Sequence, residues 1–274
     1  MSGPLSRRQF LAMAAFAAAV PYGCTRTEEL TVSRHTVRVH QLPPNFAGFT
    51  ICHLTDLHSR EYGSGNRELL KIIEAEEPDL IAITGDMVDW RNCNLSVCLD
   101  LCVRAAAIAP TKYVTGNHEM MDQIEMIQDR IIQSGADLLD NRCVMLKRGQ
   151  ESVCLAGAGE RDFYGRHSVR FAMRDVPEDA CSIILSHHPE QMSVFAERGA
   201  NLILAGHTHG GQVKMPGVGA LIAPDQGLLP KYSEGFYHKD ATTMFISRGL
   251  GNSIIPFRLN CPPEVVFLTL EPAA

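Results

Sequence analysis

Acidic, amide and imidazole side chains follow short apolar runs at five successive places in the chain. In chain order these segments are Asp56-Leu57-His58, Gly85-Asp86-Met87-Val88-Asp89, Gly116-Asn117-His118-Glu119, Ser186-His187-His188 and Gly206-His207-Thr208-His209. Each apolar run is typical of a buried strand, and the carboxyl ends of strands line the ligand crevice in open α/β sheets. We therefore expect side chains that are far apart in the sequence to meet at one edge of the fold.

These residue types indicate metal chemistry. Carboxylate oxygens and imidazole nitrogens suit Mn²⁺, Fe or Zn²⁺, and the five segments contain no soft thiolate ligand. They carry enough ligands for two ions. Two ions about 3.5–4 Å apart can share a bridging carboxylate and a bridging hydroxide, and can neutralise charge on phosphate oxygens. One Asp-x-His or His-x-His pair is a weak signal, but five such pieces in this order predict a metal site.

Length and composition are those of an ordinary globular protein. The chain has 274 residues, of which 45% are hydrophobic and 20% charged, which argues against disordered, collagen-like and coiled-coil classes. One α/β domain of this length can bury a full core. The formal net charge is −6 and no run of Lys or Arg interrupts it, so nucleic-acid binding is not expected. The sequence indicates no protein partner.

Apolar runs of strand length alternate with segments of helical periodicity after residue 48. The predicted strands are 49–55, 80–84, 112–115, 152–156, 182–185, 202–204, 244–247 and 265–270. The predicted helices are 66–76, 95–108 and 119–133, and Pro78 and Pro110 end the first two. This alternation predicts an α/β domain over residues 25–274, with a long functional loop over 206–230.

The first 24 residues are predicted to be an export signal. Arg7 and Arg8 precede an apolar, Ala-rich run from Phe10 to Val20, which is too short to span a bilayer as a helix. The pattern Ser-Arg-Arg-x-Phe-Leu resembles the twin-arginine export signal. Cleavage near residues 17–19 and lipid attachment at Cys24 are left as alternatives. We expect the protein in the periplasm or cell envelope, with membrane association left open.

The nine cysteines are expected to be structural, and none is expected to be catalytic. Those in apolar, strand-like runs are predicted to be small buried hydrophobes, namely Cys52, Cys154 and Cys181. Another group has spacings unlike those of a zinc site, namely Cys93, Cys98 and Cys102. Disulfide pairing in an exported protein stays open.

Taken together, the five segments resemble the signature of the calcineurin-like metallophosphoesterase superfamily over about residues 48–272. The resemblance implies a four-layer αββα sandwich with a dinuclear site at its strand ends. It implies one ion held by Asp56, His58, Asp86 and His209. It implies a second ion held by Asp86, Asn117, His187 and His207, with Asp86 as the bridge.

The same resemblance assigns roles to residues beyond the ligands. His118 would face the phosphate and stabilise or protonate the leaving oxygen. Asp89 would hold the imidazole of His118 and keep it protonated. Glu119 is expected to cap or brace the start of the following helix. Members that are protein phosphatases usually carry Arg after this Asp, and Trp90 stands there instead, which disfavours a protein phosphatase.

Two further points rest on the resemblance. His187 is favoured over His188 as the ligand because it follows the strand directly. Segments 206–213 and 247–251, with Pro256-x-Arg258, resemble an exported or membrane-associated bacterial branch of the family. Arg248 and Arg258 are predicted to bind a second phosphate or a headgroup, with ion pairing as the alternative.

The leading hypothesis is a dinuclear metal-dependent phosphoester hydrolase, acting on monoesters or diesters, in which a metal-bridging hydroxide attacks phosphorus. Its substrate would be a phosphoester, with lipid or nucleotide linkage left open. One alternative is an enzyme similar to the UDP-2,3-diacylglucosamine pyrophosphatases of lipid A synthesis. The second alternative is a non-catalytic binding protein stabilised by metal, which would need no His118.

Overall fold

A computed structural model describes residues 29–91, 94–120, 124–160, 166–215, 217–253 and 255–273. The predicted export signal, with Cys24, lies outside these ranges, and so does Cys93. None of the helices in the described part of the chain has the length and apolar character that a membrane span requires.

Runs rich in Val, Ile and Leu form the strands, because branched side chains pack well on a pleated surface. In chain order the strands are β1 (Thr31–Val39), β2 (Thr50–Leu54), β3 (Leu80–Thr84), β4 (Thr111–Val114), β5 (Asp137–Leu138), β6 (Arg142–Arg148), β7 (Glu151–Ala158), β8 (Ser182–Ser186), β9 (Leu202–Ala205), β10 (Lys214–Met215), β11 (Gly219–Ala220), β12 (Ile222–Ala223), β13 (Gly227–Leu228), β14 (Gly235–Lys239), β15 (Thr242–Ile246) and β16 (Glu264–Pro272).

The long strands form two six-stranded mixed sheets. The first has the order β1-β16-β2-β3-β4-β5, and only β16 and β2 pair antiparallel. The second has the order β14-β15-β9-β8-β7-β6, with antiparallel pairs at its two edges and parallel pairs between them. The parallel centre of each sheet brings the carboxyl ends of its strands to one edge, where the predicted site residues follow.

Alternate side chains of each central strand point to opposite faces of the sheet. In β3, Leu80 and Ala82 belong to the core between the two sheets, whereas Ile81 and Ile83 belong to the core beneath the helices of the first sheet. In β9 the same alternation places Ile203 in the outer core of the second sheet. Strands buried on both faces read as continuous apolar runs, which is why they were recognisable in the sequence.

Helices cover the outer face of each sheet. Three lie on the first sheet, namely α1 (Arg67–Glu76), α2 (Leu95–Ile108) and α3 (Ile124–Gln133). Two lie on the second, namely α4 (Arg166–Ala172) and α5 (Met192–Ala196). The layers therefore follow the order helix, sheet, sheet, helix, and the predicted α/β four-layer αββα sandwich is confirmed.

The structure differs from the predicted elements in several places, and β5, β14, α4 and α5 are among the elements that were not predicted. The helix predicted from residue 119 begins at Ile124 in the described part, and residues 117–120 form a turn. Edge strands β1 and β6 were missed because their exposed polar residues interrupt the apolar pattern. The predicted loop 206–230 contains two small antiparallel hairpins, β10–β11 and β12–β13.

The predicted buried cysteines are confirmed, and Cys52, Cys154 and Cys181 lie in the core. The seven cysteines of the described residues are all free thiols. Burial raises the pKa of the Cys154 and Cys181 thiols to about 12, so neither supplies a thiolate near neutral pH.

The core between the sheets makes a first prediction. Leu185 of β8 is fully buried there, and Leu185→Ala should lower the free energy of unfolding by about 2–5 kcal/mol because a cavity remains. Urea unfolding of the two proteins at equal metal loading measures the difference. The matched control is Val103→Ala on α2, where the side chain is 52% exposed and the expected change is within about 0.5 kcal/mol. Equal losses in the two variants would contradict this description of the core.

Candidate metal centre

Five of the predicted ligands have a left-handed backbone, which is uncommon for residues other than glycine. Their φ angles are 52° at Asp56, 49° at His58, 52° at Asp86, 69° at His207 and 51° at His209. Backbone conformations of this kind cluster at functional sites, where the surrounding structure holds them in place. Here each one turns the chain sharply after a strand, so the ligand side chain points back over the sheet edge.

Two glycines allow the strand ends to approach one another. A Cβ atom built on Gly116 would overlap the Asp86 Oδ1 atom, and one built on Gly206 would overlap the Thr55 hydroxyl. Both overlaps involve groups that are buried and already hydrogen-bonded. Glycine is therefore required where these strand ends meet.

The first group of ligands joins β2 to the loop after β9. The Nε2 atoms of His58 and His209 are 3.1 Å apart, and Asp56 Oδ1 lies 3.5 Å from the Nε2 atom of His209. All three side chains are buried. Burial lowers the pKa of His58 to about 3 and holds the pKa of His209 well below its ordinary value, so both imidazoles are neutral and can act as ligands.

The second group joins β3, β8 and the loop after β9. Asp86 Oδ2 lies 3.2 Å from the Nε2 atom of His187, and that atom lies 3.2 Å from the Nδ1 atom of His207. Nδ1 of His187 is 2.7 Å from the Thr84 carbonyl oxygen, and Nε2 of His207 is 2.8 Å from Asp225 Oδ2. In neutral imidazoles those outer nitrogens donate, which leaves both inner nitrogens as bare acceptors that face each other.

Asp86 belongs to both groups. Its Oδ2 atom is 3.2 Å from His187 and 3.7 Å from His58, while its Oδ1 atom accepts the backbone N–H of His118 at 2.8 Å. Burial opposes a protonated His187, but the carboxylates of Asp86 and Asp56 outweigh it and raise the pKa of His187 well above its ordinary value. The position between the groups therefore strongly attracts positive charge.

Several features show that these residues fit bound cations. The inner ring nitrogens of His58 and His209, and those of His187 and His207, lie close enough together for each pair to bind one ion once the protons between them are displaced. The Oδ1 atom of Asn117 is buried and has no hydrogen-bond partner within the protein, although amide oxygens in protein interiors are almost always bonded. Four sets of Asp and His atoms among the described residues are close enough to hold an ion. Three are buried, namely Asp56/His58/His209, His58/Asp86/His118 and Asp86/His187/His207, and the more exposed fourth is His188/His207/Asp225.

His118 lies at the site, but its contact with Asp89 differs from the one predicted. The Nδ1 atom of His118 is 3.9 Å from Asp89, beyond hydrogen-bond range, and 3.4 Å from the backbone N–H of Trp90. Arg91 forms the ion pair with Asp89 at 2.9 Å. Burial lowers the pKa of His118, although Asp86 and Asp89 oppose this shift. Asp89 therefore does not hydrogen-bond to the ring, since its carboxylate pairs with Arg91, although its charge still favours a protonated His118.

The choice between the two adjacent histidines is resolved by their surroundings. His187 points to Asp86 and His207, as described above. The Nε2 atom of His188 lies 2.9 Å from Glu160, and its Nδ1 atom lies 3.6 Å from Glu190. Burial lowers the pKa of His188, but these two carboxylates outweigh it and raise that pKa to about 9. His188 is thus a partner of glutamates outside the two ligand groups.

The guanidinium groups of the two predicted phosphate-binding arginines bond to other groups of the protein. Arg258 is 1% exposed, and its guanidinium donates to backbone carbonyls, including that of Arg248 at 2.8 Å. Arg248 forms an ion pair with Glu264 at 2.8 Å. For Arg248 the structure favours the alternative of ion pairing, and for Arg258 it shows bonding to backbone carbonyls in place of a phosphate-facing position. The sequence could not distinguish an arginine bonded to backbone carbonyls from one that faces a substrate.

The structure also corrects the role of Glu119. This fully buried carboxylate lies under the turns that follow β3 and β4. It accepts the backbone N–H groups of Asp86 at 2.8 Å, Met87 at 2.7 Å and Gly116 at 2.8 Å, and the Tyr113 hydroxyl at 2.9 Å. Burial, with the nearby charge of Asp86, raises the pKa of Glu119 to about 7. Glu119 positions the loops that carry the ligands, and its hydrogen bonds to backbone groups among the described residues are with these turns.

Asp225 was not found by sequence reasoning. Its hydrogen bond to His207 fixes the orientation of a predicted ligand, but its side chain is mostly exposed in the β12–β13 turn. In the sequence it stands in Pro224-Asp225-Gln226-Gly227, which signals only a turn.

Comparison with known proteins gives an independent result. A family model described as calcineurin-like phosphoesterase matches residues 49–211. The uncharacterized metallophosphoesterase YkuE of Bacillus subtilis is 27% identical over 288 residues, covering 97% of this chain and 98% of YkuE. The phosphodiesterase YaeI of Escherichia coli is 28% identical over 275 residues, covering 97% and 99%. An uncharacterized metallophosphoesterase of Helicobacter pylori is 30% identical over 212 residues, covering 74% and 54%. The matched segment contains all five motif segments.

The position of Glu119 makes a prediction for the site. Glu119→Gln should weaken metal binding by about 10–100-fold, because the side-chain amide would present N–H groups to backbone N–H donors. Metal titration of the purified protein measures the affinity, and thermal unfolding without metal shows whether the fold is kept. Glu74→Gln, on the exposed face of α1, is the matched control and should leave the affinity unchanged. An unchanged affinity in Glu119→Gln would refute the positioning role.

Proposed function

The chain belongs to the calcineurin-like phosphoesterase family and is a metal-dependent phosphoester hydrolase. On this premise we propose that it works with two divalent ions and hydrolyses phosphodiesters. The observation that carries the two-ion proposal is the buried carboxylate of Asp86, which lies between His58 of one ligand group and His187 of the other. The diester preference is supported by a full-length relative that is named a phosphodiesterase.

The two ions would be held by the residues that the geometry groups together. One would take Asp56, His58, Asp86 and His209, and the other Asp86, Asn117, His187 and His207. This mixture of carboxylate, amide and imidazole suits Mn, Fe or Zn. When bound, such ions supply Lewis acidity, which lowers the pKa of water and offsets the charge of phosphate oxygens.

The protein's own residues set the orientation of the ligands and supply a hydrogen-bond donor. Thr84 and Asp225 hold the outer nitrogens of His187 and His207, so the inner nitrogens stay free for the ions. In His118 the backbone N–H of Trp90 points at Nδ1, which places the proton of the neutral ring on Nε2. That Nε2–H faces the site, 3.9 Å from Asp86 Oδ2, and can donate to a phosphate or leaving-group oxygen.

Two substitutions test whether His118 acts as a donor and Asp86 as a metal ligand. His118→Ala should lower turnover of a chromogenic phosphodiester by about 10²–10⁴-fold while the metal content stays near that of the wild type, since only the donor is lost. Asp86→Ala should remove both turnover and bound metal. Assays with and without Mn²⁺, combined with metal analysis of each protein, measure both quantities. Loss of metal in His118→Ala would overturn its assigned role, and full activity without metal would overturn the whole proposal.

We propose further that the chain is exported to the periplasm or cell envelope. The support is the sequence Ser6-Arg7-Arg8-Gln9-Phe10-Leu11 before a short apolar run. Replacement of Arg7 and Arg8 by Lys should leave the protein in the cytoplasm, because the twin-arginine pathway reads the arginine pair. Cell fractionation followed by immunoblotting measures this. Arg38→Lys, at an exposed position of β1, is the control and should be exported normally. Normal export of the Lys-Lys variant would contradict the proposal.

A further inference from the structure

The segment that follows His207 and His209 presents apolar side chains to solvent. Within residues 217–229 the exposed fraction is 59% for Val218, 40% for Ile222, 79% for Leu228 and 66% for Leu229. The described part of the chain has eleven exposed large apolar side chains, and four of them fall in this one segment. Ile222 and Leu228 are paired residues of β12 and β13, and Leu229 follows directly, so these three form one exposed apolar surface that we call the hairpin face. A contiguous apolar surface of this kind marks an interaction site, whereas scattered side chains do not.

The hairpin face borders the metal centre. The turn between β12 and β13 carries Asp225, whose carboxylate binds the predicted ligand His207 at 2.8 Å. The backbone of Ile222 lies against Gly211, so β12 packs on the turn that begins with His209. Trp90, whose backbone N–H points at His118, also has an exposed aromatic ring. Apolar groups therefore stand beside the position where a phosphoester would bind.

Hydrogen bonds hold the apolar side chains of this segment outward. Leu229 has a left-handed backbone with φ 55°, and its N–H donates to the Leu221 carbonyl at 2.9 Å. Gln226 is bonded to the backbone of Tyr232 in both directions, at 2.8 and 2.9 Å. A bulky residue is rarely found in this backbone region. The fold therefore fixes Leu229 in an exposed position and does not bury it.

The N-terminal end of the domain lies on the same side of the molecule. Thr31, where β1 begins, accepts a hydrogen bond from Arg248 at 3.1 Å. Arg248 lies 3.7 Å from Glu234, and Glu234 pairs with Lys214, the first residue of β10. The apolar run that ends at Val20 is ten residues before Leu30, and ten extended residues reach about 35 Å. A membrane-held N-terminus would therefore keep the hairpin face near the same bilayer.

One exposed cation, Lys231, stands beside the hairpin face, and the exposed carboxylate of Asp225 in the same segment is paired with His207. Lys231 follows Leu229 by two residues, is exposed, and places its ammonium 4.7 Å from the centre of the Tyr232 ring. Cations flanked by apolar and aromatic groups are typical of segments that lie at a bilayer interface, where lipid phosphates bind the cation.

We propose that the hairpin face docks on the surface of an anionic bilayer, and that the substrate is a phosphodiester carried by a membrane lipid. The second part rests on the proposed function, whereas docking does not. In this arrangement the lipid chains lie against Leu228 and Leu229, and the headgroup phosphodiester reaches the adjacent ligand groups. The export signal would then direct the protein out of the cytoplasm, and the hairpin face would hold it at the membrane surface there.

The experiment is flotation of the full-length chain with vesicles of phosphatidylethanolamine and phosphatidylglycerol. The double variant Leu228→Ser/Leu229→Ser should lower the ratio of bound to free protein by about tenfold, because two exposed leucines no longer enter the interface. The control is Val103→Ser/Ile132→Ser, which removes two apolar side chains that are 52% and 54% exposed on α2 and α3 and should bind like the wild type. Metal content of each variant shows that the domain is intact.

Three results would overturn docking: no vesicle binding by the wild type, equal losses in both double variants, or a change of oligomeric state in the hairpin variant, which would make the face a contact between copies. Hydrolysis of phosphatidylglycerol in the same vesicles tests the substrate class, and hydrolysis of a soluble chromogenic diester tests the proposed function separately. Turnover of the soluble diester without any turnover of vesicle lipid would refute the lipid substrate and leave the hydrolase assignment standing.

Discussion

The carboxylate of Asp86 is the group on which the rest of the site depends, because it is buried at the point where the two sheets meet. One of its oxygens accepts a backbone N–H from the turn after β4, and the other faces histidines from the loop after β2 and from β8. A buried charge of this kind is costly unless other groups compensate it. The backbone N–H of His118 and the imidazoles of His58 and His187 supply that compensation, as donors or as ligands for a cation.

Hydrogen bonds to the Glu119 carboxylate hold the backbone around Asp86 in an unfavourable conformation. Glu119 collects N–H groups from both turns that carry ligands, so the left-handed residue at Asp86 cannot relax. Its own burial raises its pKa to about 7, which shows how far this carboxylate has been removed from water. The site is thus preorganised, and ions would bind without rearranging the strands.

Residues 207–229 contain both buried ligands in a polar environment and apolar side chains exposed to solvent. His207 and His209 are buried among charged and polar groups, whereas Leu228 and Leu229, which follow 19 to 22 positions later, are exposed to solvent. Asp225 lies between them in sequence and connects the two regions through its bond to His207. A phosphoester attached to an apolar group has the same division, with a charged centre next to a hydrophobic body.

The sequence by itself determined the layered fold and the ligand types, because strands buried on both faces are continuous apolar runs and each ligand follows one of them. Strands β2, β3, β4, β8 and β9 and helices α1 and α2 were therefore predictable almost to the residue. Edge strands were not, since their polar faces resemble loops. Only the tertiary structure decided which of His187 and His188 joins the ligands, that Arg91 rather than His118 pairs with Asp89, and that Glu119 lies beneath the turns. Arg258 was likewise indistinguishable in the sequence from a phosphate-binding arginine. These outcomes depend on which side chain points inward and on which charge lies nearest, and local pattern carries neither kind of information.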